Sequence, residues 1–317
     1  LACAMLMFVA RRLAATIPVL ATVAVFVFLM LRLTPADPAA IMAGDNATTE
    51  QVAQIRSKLG LDRPLLTQFA IWSGRLLHGD FGESFFFKKT VAELIAQRLE
   101  PTLALAIVTI LLSIAIAVPL GVLAAYKHES WIDRAVMALS VFGFSVPVFV
   151  IGYLLIYIFA ITLGWLPVQG YRSIAQGFWP FLERLILPAS TLSVIYVALI
   201  ARITRASMLE VMNEDYIRTA RAKGLSDRAV LIRHGLRTAA IPIVTVIGIG
   251  IALLIGGVVA PESVYGIPGI GRLTVDAVLA RDFPTIQAVV LLFSFVYVLV
   301  NLAIDLAYVL LDPRIRY

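Results

Sequence analysis

Six long apolar segments constrain this chain more than any other feature, because each is long enough to cross a membrane as a helix. They lie near residues 10–32, 101–126, 134–164, 186–207, 239–260 and 286–311. A helix of about 20 residues spans a hydrocarbon core of roughly 30 Å. The 317 residues are 61% hydrophobic and 15% charged, with a mean hydropathy of +0.93, which excludes an ordinary soluble domain. The sequence therefore predicts an all-α polytopic membrane protein with about six transmembrane helices.

The first and third segments carry further local information. Arg11 and Arg12 precede an apolar run that continues to about Leu33 without a convincing small-residue cleavage site. We therefore expect an uncleaved signal-anchor helix and not a cleaved signal peptide. The third segment is the longest, and Pro147 inside it predicts a kink. Cys3 is the only cysteine, which excludes an internal disulfide framework and a cysteine metal cluster.

Basic residues flank the apolar segments on one side of the predicted membrane. One group of these basic residues lies in the arginine-rich stretch 202–238. The others are Arg11, Arg12, Lys127, Arg134, Arg314 and Arg316. With six spans all these positions fall on the same side, and the positive-inside rule makes that side cytoplasmic. We therefore expect both termini and the loop 208–238 to be cytoplasmic, and the long segment 33–100 to lie outside.

The loop between the fourth and fifth segments is charged and helix-prone. Ile217, Ala220 and Leu225 can share one side of a short helix. The basic side chains then project elsewhere, as Arg218, Arg221 and Lys223. This pattern fits a docking surface for a soluble partner. It equally fits an ordinary basic loop that fixes the topology and touches anionic lipid.

A glycine and a capping pair divide this loop into two parts. Gly224 reaches the left-handed conformation that closes a helix without steric penalty. Ser226 and Asp227 follow and can cap a second helix. The spacing therefore predicts a turned knob of two short helices.

The outer segment 33–100 carries helix-forming patterns at Thr49–Ile55 and at Leu65–Leu77, and a glycine-rich turn at residues 79–84. These patterns predict a small helical cap outside the membrane. The cap either covers a pore mouth or contacts an external protein, or it is a packing element with no recognition role.

Catalytic constellations are absent from the sequence. His78, His128 and His234 fall in separate loops on both sides of the membrane, which argues against a shared metal. Glycines five apart occur in residues 266–273, but Arg272 and Leu273 replace the Lys and Ser or Thr of a phosphate loop. That stretch is predicted to be a structured re-entrant or surface turn. We expect that this polypeptide does not hydrolyse ATP by itself.

Ionisable residues are nearly absent from the predicted spans. The sixth span carries the exception, Asp305, and the polar amide of Asn301 lies four residues before it on the same helical face. Intramembrane charges mark ion-coupled transporters, so an ion-coupled secondary transporter is the rival functional class. The other interpretation of Asp305 is an interfacial ion pair with Arg202 or Arg205.

Small and hydroxylated residues mark two spans. The fifth span carries a small-residue face made of Gly248, Gly250, Ala252, Gly256, Gly257 and Ala260. Such a face permits close helix contact or borders a wide pathway. The fourth span contributes Ser190, Thr191, Ser193 and Tyr196, either as polar lining of a pathway or as helix-packing hydroxyls. We take Gly248 and Gly256 as further candidates for pathway lining.

Three parts of the loop, residues 215–225, 234–237 and 241–242, resemble the coupling loop of permease subunits in binding-protein-dependent ABC importers. The resemblance extends to residues 59–64, 79–84 and 261–266. The general pattern is Glu-Ala-Ala, three residues, Gly, nine residues, Ile, one residue, Leu-Pro. Gly224 and Leu236 fit it, whereas Arg218, Thr219 and Ala220 occupy the first three places, and His234 and Arg237 replace Ile and Pro. With these departures, the loop resembles that of the dipeptide and oligopeptide branch of the family.

The resemblance implies a type I ABC importer permease fold. Residues 1–100 are expected to form the signal-anchor helix and the external cap, and residues 101–317 a five-helix core with the coupling loop 208–238. A homologous second permease, giving a heterodimer, two cytoplasmic ATPases and an external binding protein are the implied partners, besides membrane lipid and with no nucleic acid. ATP and Mg are expected on the ATPases, and no cofactor on this chain. The implied location is the bacterial cytoplasmic membrane.

The resemblance also implies site residues and a cargo. The ATPase-coupling residues are Asp215, Tyr216, Ile217, Arg218, Thr219, Ala220, Arg221, Lys223, Gly224 and Leu225. Of these, we expect Ile217, Thr219, Ala220 and Gly224 to insert into an ATPase groove. Its rim is expected to meet Arg218, Arg221 and Lys223. The branch moves dipeptides and oligopeptides inward, and nickel chelates, glutathione or other small solutes are the alternatives.

Overall fold

A computed structural model of the chain describes residues 2–33, 37–44, 47–58, 60–84 and 86–311. Arg314 and Arg316, which the orientation argument used, lie outside the described residues. Two compact units are present. The first consists of Leu1–Glu100 and Gly269–Val298, and the second of Pro101–Pro268 and Leu299–Tyr317.

The described secondary structure is almost entirely helical. Its long elements and their connections, in chain order, are α1 (Ala2–Arg32), α2 (Pro38–Ala43), α3 (Thr49–Lys58), α4 (Leu65–Leu77), β1 (Glu83–Ser84), β2 (Lys89–Thr90), α5 (Val91–Tyr126), α6 (Trp131–Ser145), α7 (Val148–Leu155), α8 (Phe178–Met212), α9 (Asp215–Ala222), α10 (Asp227–Ala229), α11 (Ala240–Gly257), α12 (Val259–Val264), α13 (Ile270–Leu279) and α14 (Phe283–Leu311). Residues Ile156–Thr162 and Val230–Leu236 are π-helical, and Ile174–Gln176 form one 3₁₀ turn. The two helices predicted in the outer segment are confirmed as α3 and α4.

Among the residues that the structure describes, four helices are long and apolar enough to cross a membrane, and two further pairs qualify if each bent pair forms one span. The straight spans are Arg11–Met30, Val91–Tyr126, Phe178–Met212 and Phe283–Tyr308. The pair α6–α7 bends by 105° at Pro147, which confirms the predicted kink. The second bent pair, 227–236 with 240–254, turns by 62°. The described helices therefore allow four to six spans by length and composition, and the expectation of about six lies at the upper end of that range.

The first unit is held together by aromatic and aliphatic clusters. Phe28 near the end of α1 contacts Phe69 and Trp72 of α4, with ring centroids 5.1 and 5.6 Å apart. A second cluster of buried side chains contains Leu94, Ile270, Leu273 and Val289. It joins the beginning of α5 to α13 and α14, which explains why residues 269–298 belong to this unit. The prediction of a division at residue 100 did not include this return of the chain.

The second unit is built around α8, whose apolar window is mostly buried. Leu185, Leu192 and Ile200 are fully buried along it. Helices α6, α7, α11 and α12 pack against α8. A chain that buries one span among its neighbours in this way has a core of its own, and this core is the support on which the loop 208–238 rests.

Candidate functional site

The loop 208–238 folds into the two-helix knob that its sequence predicts. Helix α9 ends at Ala222, and Gly224 follows with φ +78°. The Gly224 amide donates to the Arg221 carbonyl at 2.9 Å, and the Leu225 amide donates to the Ala220 carbonyl at 3.3 Å. This pair of bonds closes the helix end in the manner of a glycine C-cap. Ser226 then caps α10, with its Oγ accepting from the Ala229 amide at 3.4 Å.

The inner face of α9 is buried in the chain's own core. Ile217 is fully buried and Ala220 nearly so. Both belong to a cluster with Met208, Val230 and Ile243, from α8, the π-helical stretch and α11. The expectation that Ile217 and Ala220 insert into a partner's groove is therefore corrected: they already have apolar neighbours within this chain.

Leu225 also departs from the expectation. It was expected to share the apolar side of the helix, but its side chain is 41% exposed. The physical reason is that Gly224 reverses the chain before Leu225, so the helical spacing no longer applies. Leu225 therefore lies outside the buried ridge.

The outer face of α9 is exposed and polar. Its members are Asp215, Tyr216, Arg218, Thr219 and Arg221, and the exposed Lys223 and Gly224 continue it. The side chains of Arg218 and Asp215 are 72% and 95% exposed and form an ion pair at 3.3 Å. An exposed pair of this kind contributes little to stability, so both groups remain available to another surface. We call this set of seven residues the outer α9 surface.

Two tyrosines brace the knob from its sides. The Tyr216 hydroxyl donates to Thr238 Oγ1 at 3.0 Å, which ties α9 to the segment that leads into α11. The Tyr126 hydroxyl at the end of α5 donates to Asp227 Oδ2 at 3.1 Å. These bonds link the knob to two predicted spans.

A partly buried ion pair joins α6 to α8. Arg205 Nη2 donates to Asp133 Oδ2 at 2.7 Å, and Arg205 Nε donates to Asp133 Oδ1. The Glu129 amide also donates to this carboxylate, at 3.1 Å. Asp305 was expected to form an ion pair with Arg202 or Arg205, whereas Arg205 pairs with Asp133. The sequence did carry one indication of this ion pair, because Asp133 lies at the start of α6, on the same predicted side of the membrane as Arg205.

The proposed pathway residues lie mostly in packed positions. Thr191, Ser193 and Tyr196 are buried within the second unit. Thr191 Oγ1 and the Tyr265 hydroxyl are 2.7 Å apart, and the Tyr265 hydroxyl donates to the Gly152 carbonyl at 3.2 Å. Ser193 Oγ donates to the Ser190 carbonyl at 2.9 Å. The alternative interpretation of these groups as helix-packing residues therefore describes the structure better.

The two glycines of the fifth span differ in their surroundings. A Cβ built on Gly248 would lie 2.2 Å from the side chain of Ile304, so Gly248 permits a close contact between α11 and α14 and does not line an open path. Gly256 is exposed and has no neighbour within 4 Å of such a Cβ. Of the candidate lining residues, Gly256 and the half-buried Ser190 keep an accessible position.

Neither a metal cluster nor a phosphate loop emerges in the described ranges. Among those residues, no group of three His, Cys, Asp or Glu side chains is arranged to hold a metal ion. The glycine stretch begins with Gly266 at φ +61°, and the Ile267 amide donates to the Glu262 carbonyl at 2.9 Å. Ile267 is fully buried, so this structured turn is packed and is not a surface turn as one prediction had it.

Two family models match the chain. Residues 117–317 match the model described as binding-protein-dependent transport system inner membrane component, and residues 5–106 match the model for the N-terminal part of such components. In the solved structure of an inward-facing MetNI methionine ABC transporter, a chain is 19% identical with a TM-score of 0.58. The match covers 69% of this chain and 96% of that one, and it shows a common fold.

Curated relatives extend over nearly the whole chain. A probable peptide ABC transporter permease of Sinorhizobium fredii is 56% identical over 310 residues, which cover 98% of this chain and 99% of the relative. A putative peptide transport system permease of Brucella abortus is 44% identical over 97% of this chain and 98% of the relative. The glutathione transport system permease GsiC of Salmonella choleraesuis is 45% identical over 99% of this chain and the full length of the relative.

Proposed function

The chain belongs to the family of binding-protein-dependent transport system inner membrane components, and we propose that it carries dipeptides and oligopeptides. It is a multi-pass permease of an ABC importer with a type I importer fold. ATP hydrolysis takes place in separate subunits, and a substrate-binding protein completes the transporter. The names of the Sinorhizobium and Brucella relatives support peptides as the cargo.

The outer α9 surface is the proposed contact with an ATPase subunit. The observation that carries this assignment is the division of α9 into two faces. Ile217 and Ala220 hold the helix in the core, while Arg218 and Thr219 face outward without being needed for packing. A helix fixed on one side and exposed on the other can receive a partner without unfolding. Arg221 and Lys223 supply polar contacts at the rim.

The buried face of α9 supplies the route by which a partner moves the membrane helices. Ile217 packs with Met208 of α8 and Ile243 of α11. Because protein interiors are close-packed, a displacement of α9 is passed to both helices and is not absorbed locally. In the proposed cycle, ATP-driven closure of the ATPases shifts α9 and opens the translocation pathway to the outside, where it accepts cargo. Hydrolysis then returns the pathway to its inward-facing state. ATP and Mg are bound by the ATPases in this scheme.

The proposed orientation places both termini and the loop 208–238 in the cytoplasm. The Tyr126–Asp227 hydrogen bond supports it, since it joins the knob to the end of α5, and the short basic loop follows directly after α5. Lys127 and Arg134 then fall beside the ATPase-binding surface, as the positive-inside rule requires. The proposed membrane partner is a second, homologous permease in a heterodimer, and Gly256 and Ser190 remain candidates for the pathway.

Glutathione is a second candidate cargo, because the GsiC relative aligns over its full length with 45% identity. Uptake into cells or proteoliposomes that contain the complete transporter distinguishes the two. We expect a labelled dipeptide such as Ala-Ala to be taken up, with an excess of unlabelled dipeptide competing better than glutathione. Stronger competition by glutathione would reverse the order of the two cargoes.

Affinity purification tests the assembly itself. The tagged chain, extracted in mild detergent, is expected to bring down a second permease and ATPase subunits with measurable ATPase activity. Arg218→Ala on α9 should lower the recovery of the ATPase, whereas Arg228→Ala, an exposed cation on α10, serves as the matched control. Transport by the chain alone under an ion gradient would refute the importer assignment.

A further inference from the structure

A cavity of about 550 Å³ opens within the first unit. Residues near the ends of α1, α3 and α4, the β1 region and the beginning of α14 form its walls. Arg32 lies just beyond the candidate span Arg11–Met30, and Pro284 and Gln287 lie in the first turns of the span that begins at Phe283. The cavity therefore borders the ends of two candidate membrane-spanning helices, where we expect lipid headgroups.

Charged groups of both signs face this cavity. Its cations are Arg32, Lys58 and Arg75, and its carboxylates are Asp80 and Glu83. Within the described part of the chain, no ion pair joins Lys58, Arg75, Asp80 or Glu83 to a partner. A set of facing charges that do not neutralise one another suits a ligand that also carries both signs.

The cavity wall is partly pre-organised. Arg32 Nε donates to Gln68 Oε1 at 3.1 Å, and its Nη1 donates to the Phe28 carbonyl at 3.1 Å. The guanidinium also lies 3.6 Å from the centre of the Phe28 ring. Gln68 is itself held, since its amide donates to the Arg63 carbonyl at 2.7 Å. These contacts fix a planar cation in place, and guanidinium groups bind phosphate oxygens in this fixed geometry.

We propose that this cavity binds the headgroup of a phosphatidylethanolamine-type phospholipid. Arg32, Lys58 and Arg75 take the phosphodiester, and Asp80 and Glu83 accept hydrogen bonds from the ammonium group. Below the cavity α1 is mostly exposed, with Val25 and Phe26 among its exposed side chains, so an apolar surface is present for the acyl chains. Trp72 in the wall is a residue typical of membrane interfaces.

A short peptide also carries both charges and is the competing occupant. The position of the cavity favours lipid, because it lies beside the apolar helix surface along which acyl chains run. Two other phospholipids differ from phosphatidylethanolamine in their headgroups, and this difference allows a test. Phosphatidylglycerol lacks the cation, and phosphatidylcholine has a cation without a hydrogen to donate, so each lacks one feature that the carboxylates recognise.

Native mass spectrometry of the complete transporter in mild detergent tests the proposal. The probe is an equimolar mixture of phosphatidylethanolamine, phosphatidylglycerol and phosphatidylcholine. Phosphatidylethanolamine should be retained in excess over both others. Asp80→Asn with Glu83→Gln should lower the ratio of retained phosphatidylethanolamine to phosphatidylglycerol by about tenfold, the change that 1.4 kcal/mol produces. Lys58→Gln with Arg75→Gln should lower the retention of both lipids.

Matched controls neutralise exposed charges of the same unit outside the cavity. They are Glu50→Gln with Asp62→Asn for the carboxylates, and Arg63→Gln with Lys89→Gln for the cations. Unchanged lipid ratios in the cavity variants, or equal shifts in the controls, would overturn the proposal. So would displacement of the bound lipid by millimolar Ala-Ala, which identifies a peptide site. Cargo uptake is measured separately, so a wrong cargo assignment leaves the lipid result interpretable.

Discussion

Replacement of Gly224 should separate ATP hydrolysis from uptake in a graded way. Gly224 has φ +78°, and a Cβ added there would have no neighbour within 4 Å. The cost of a larger residue therefore comes from the backbone alone. For an L-residue the left-handed conformation costs roughly 1–2 kcal/mol, with the β-branched Val at the upper end, while Asn tolerates it.

This cost acts on the turn and not on the core. A penalty of about 1–2 kcal/mol lowers the ratio of the native turn to its alternatives by a factor of about 5–30. Gly224→Val should thus leave the permease inserted and α8 folded, but displace the end of α9 and the rim residue Lys223. We expect the number of ATP molecules hydrolysed per peptide transported to rise in the order Gly, Asn, Ala, Val.

Proteoliposomes that contain the complete transporter give both quantities. Phosphate release and uptake of labelled dipeptide are measured on the same sample, and the amount of inserted permease is checked by immunoblot. Gly224→Asn is the matched control, because it enlarges the side chain but keeps the backbone conformation. Equal coupling in the Val and Asn variants, or wild-type uptake in Gly224→Val, would refute the role given to this turn.

Further substitutions test the knob and the packing of the second unit. Ile217→Ala removes a buried side chain and should lower the free energy of unfolding by about 2–5 kcal/mol, seen as a lower thermal midpoint, whereas Arg218→Ala should weaken ATPase recovery at an unchanged midpoint. Asp133→Asn leaves the half-buried Arg205 without its counter-charge and should cost up to about 3–5 kcal/mol by the same assay, with partial recovery when Arg205→Gln is added. Gly248→Val forces α11 away from Ile304, and we expect loss of folded permease on size-exclusion chromatography. A variant that elutes as wild type would contradict the close contact.

The helices, the kink and the turn could be predicted from the sequence because each depends on residues that are neighbours along the chain. A proline removes one backbone hydrogen bond from a helix, and Pro147 lies at the 105° bend, whereas Pro101 and Pro119 lie inside the continuous helix α5. Helix α4 coincides with the predicted Leu65–Leu77 because its apolar spacing is uninterrupted. The turn at Gly224 likewise depends on one residue and its immediate neighbours.

Contacts between residues that are distant in the sequence could not be predicted. Residue spacing indicates which face of a helix a side chain lies on, but not what that face contacts. Thr191 is a polar residue on an apolar span, and this alone fits a pathway as well as a packing contact. Its partner Tyr265 lies 74 residues away, and only the fold brings the two hydroxyls together. The pairing of Arg205 with Asp133, 72 residues away, was missed for the same reason.

The amphipathic pattern of α9 shows the same ambiguity with a functional consequence. An apolar ridge beside basic residues suggested that the ridge contacts the partner, but the Ile217 side chain is buried within this chain. The partner is then left with a polar, cation-rich surface in which Arg218, Arg221 and Lys223 outnumber Asp215. Contacts of that kind depend on charge complementarity and govern orientation and association rate more than affinity. In the proposed assembly the mechanical connection and the recognition surface therefore lie on opposite faces of one helix, so a substitution on the outer face can change binding while the transmission through Ile217 stays intact.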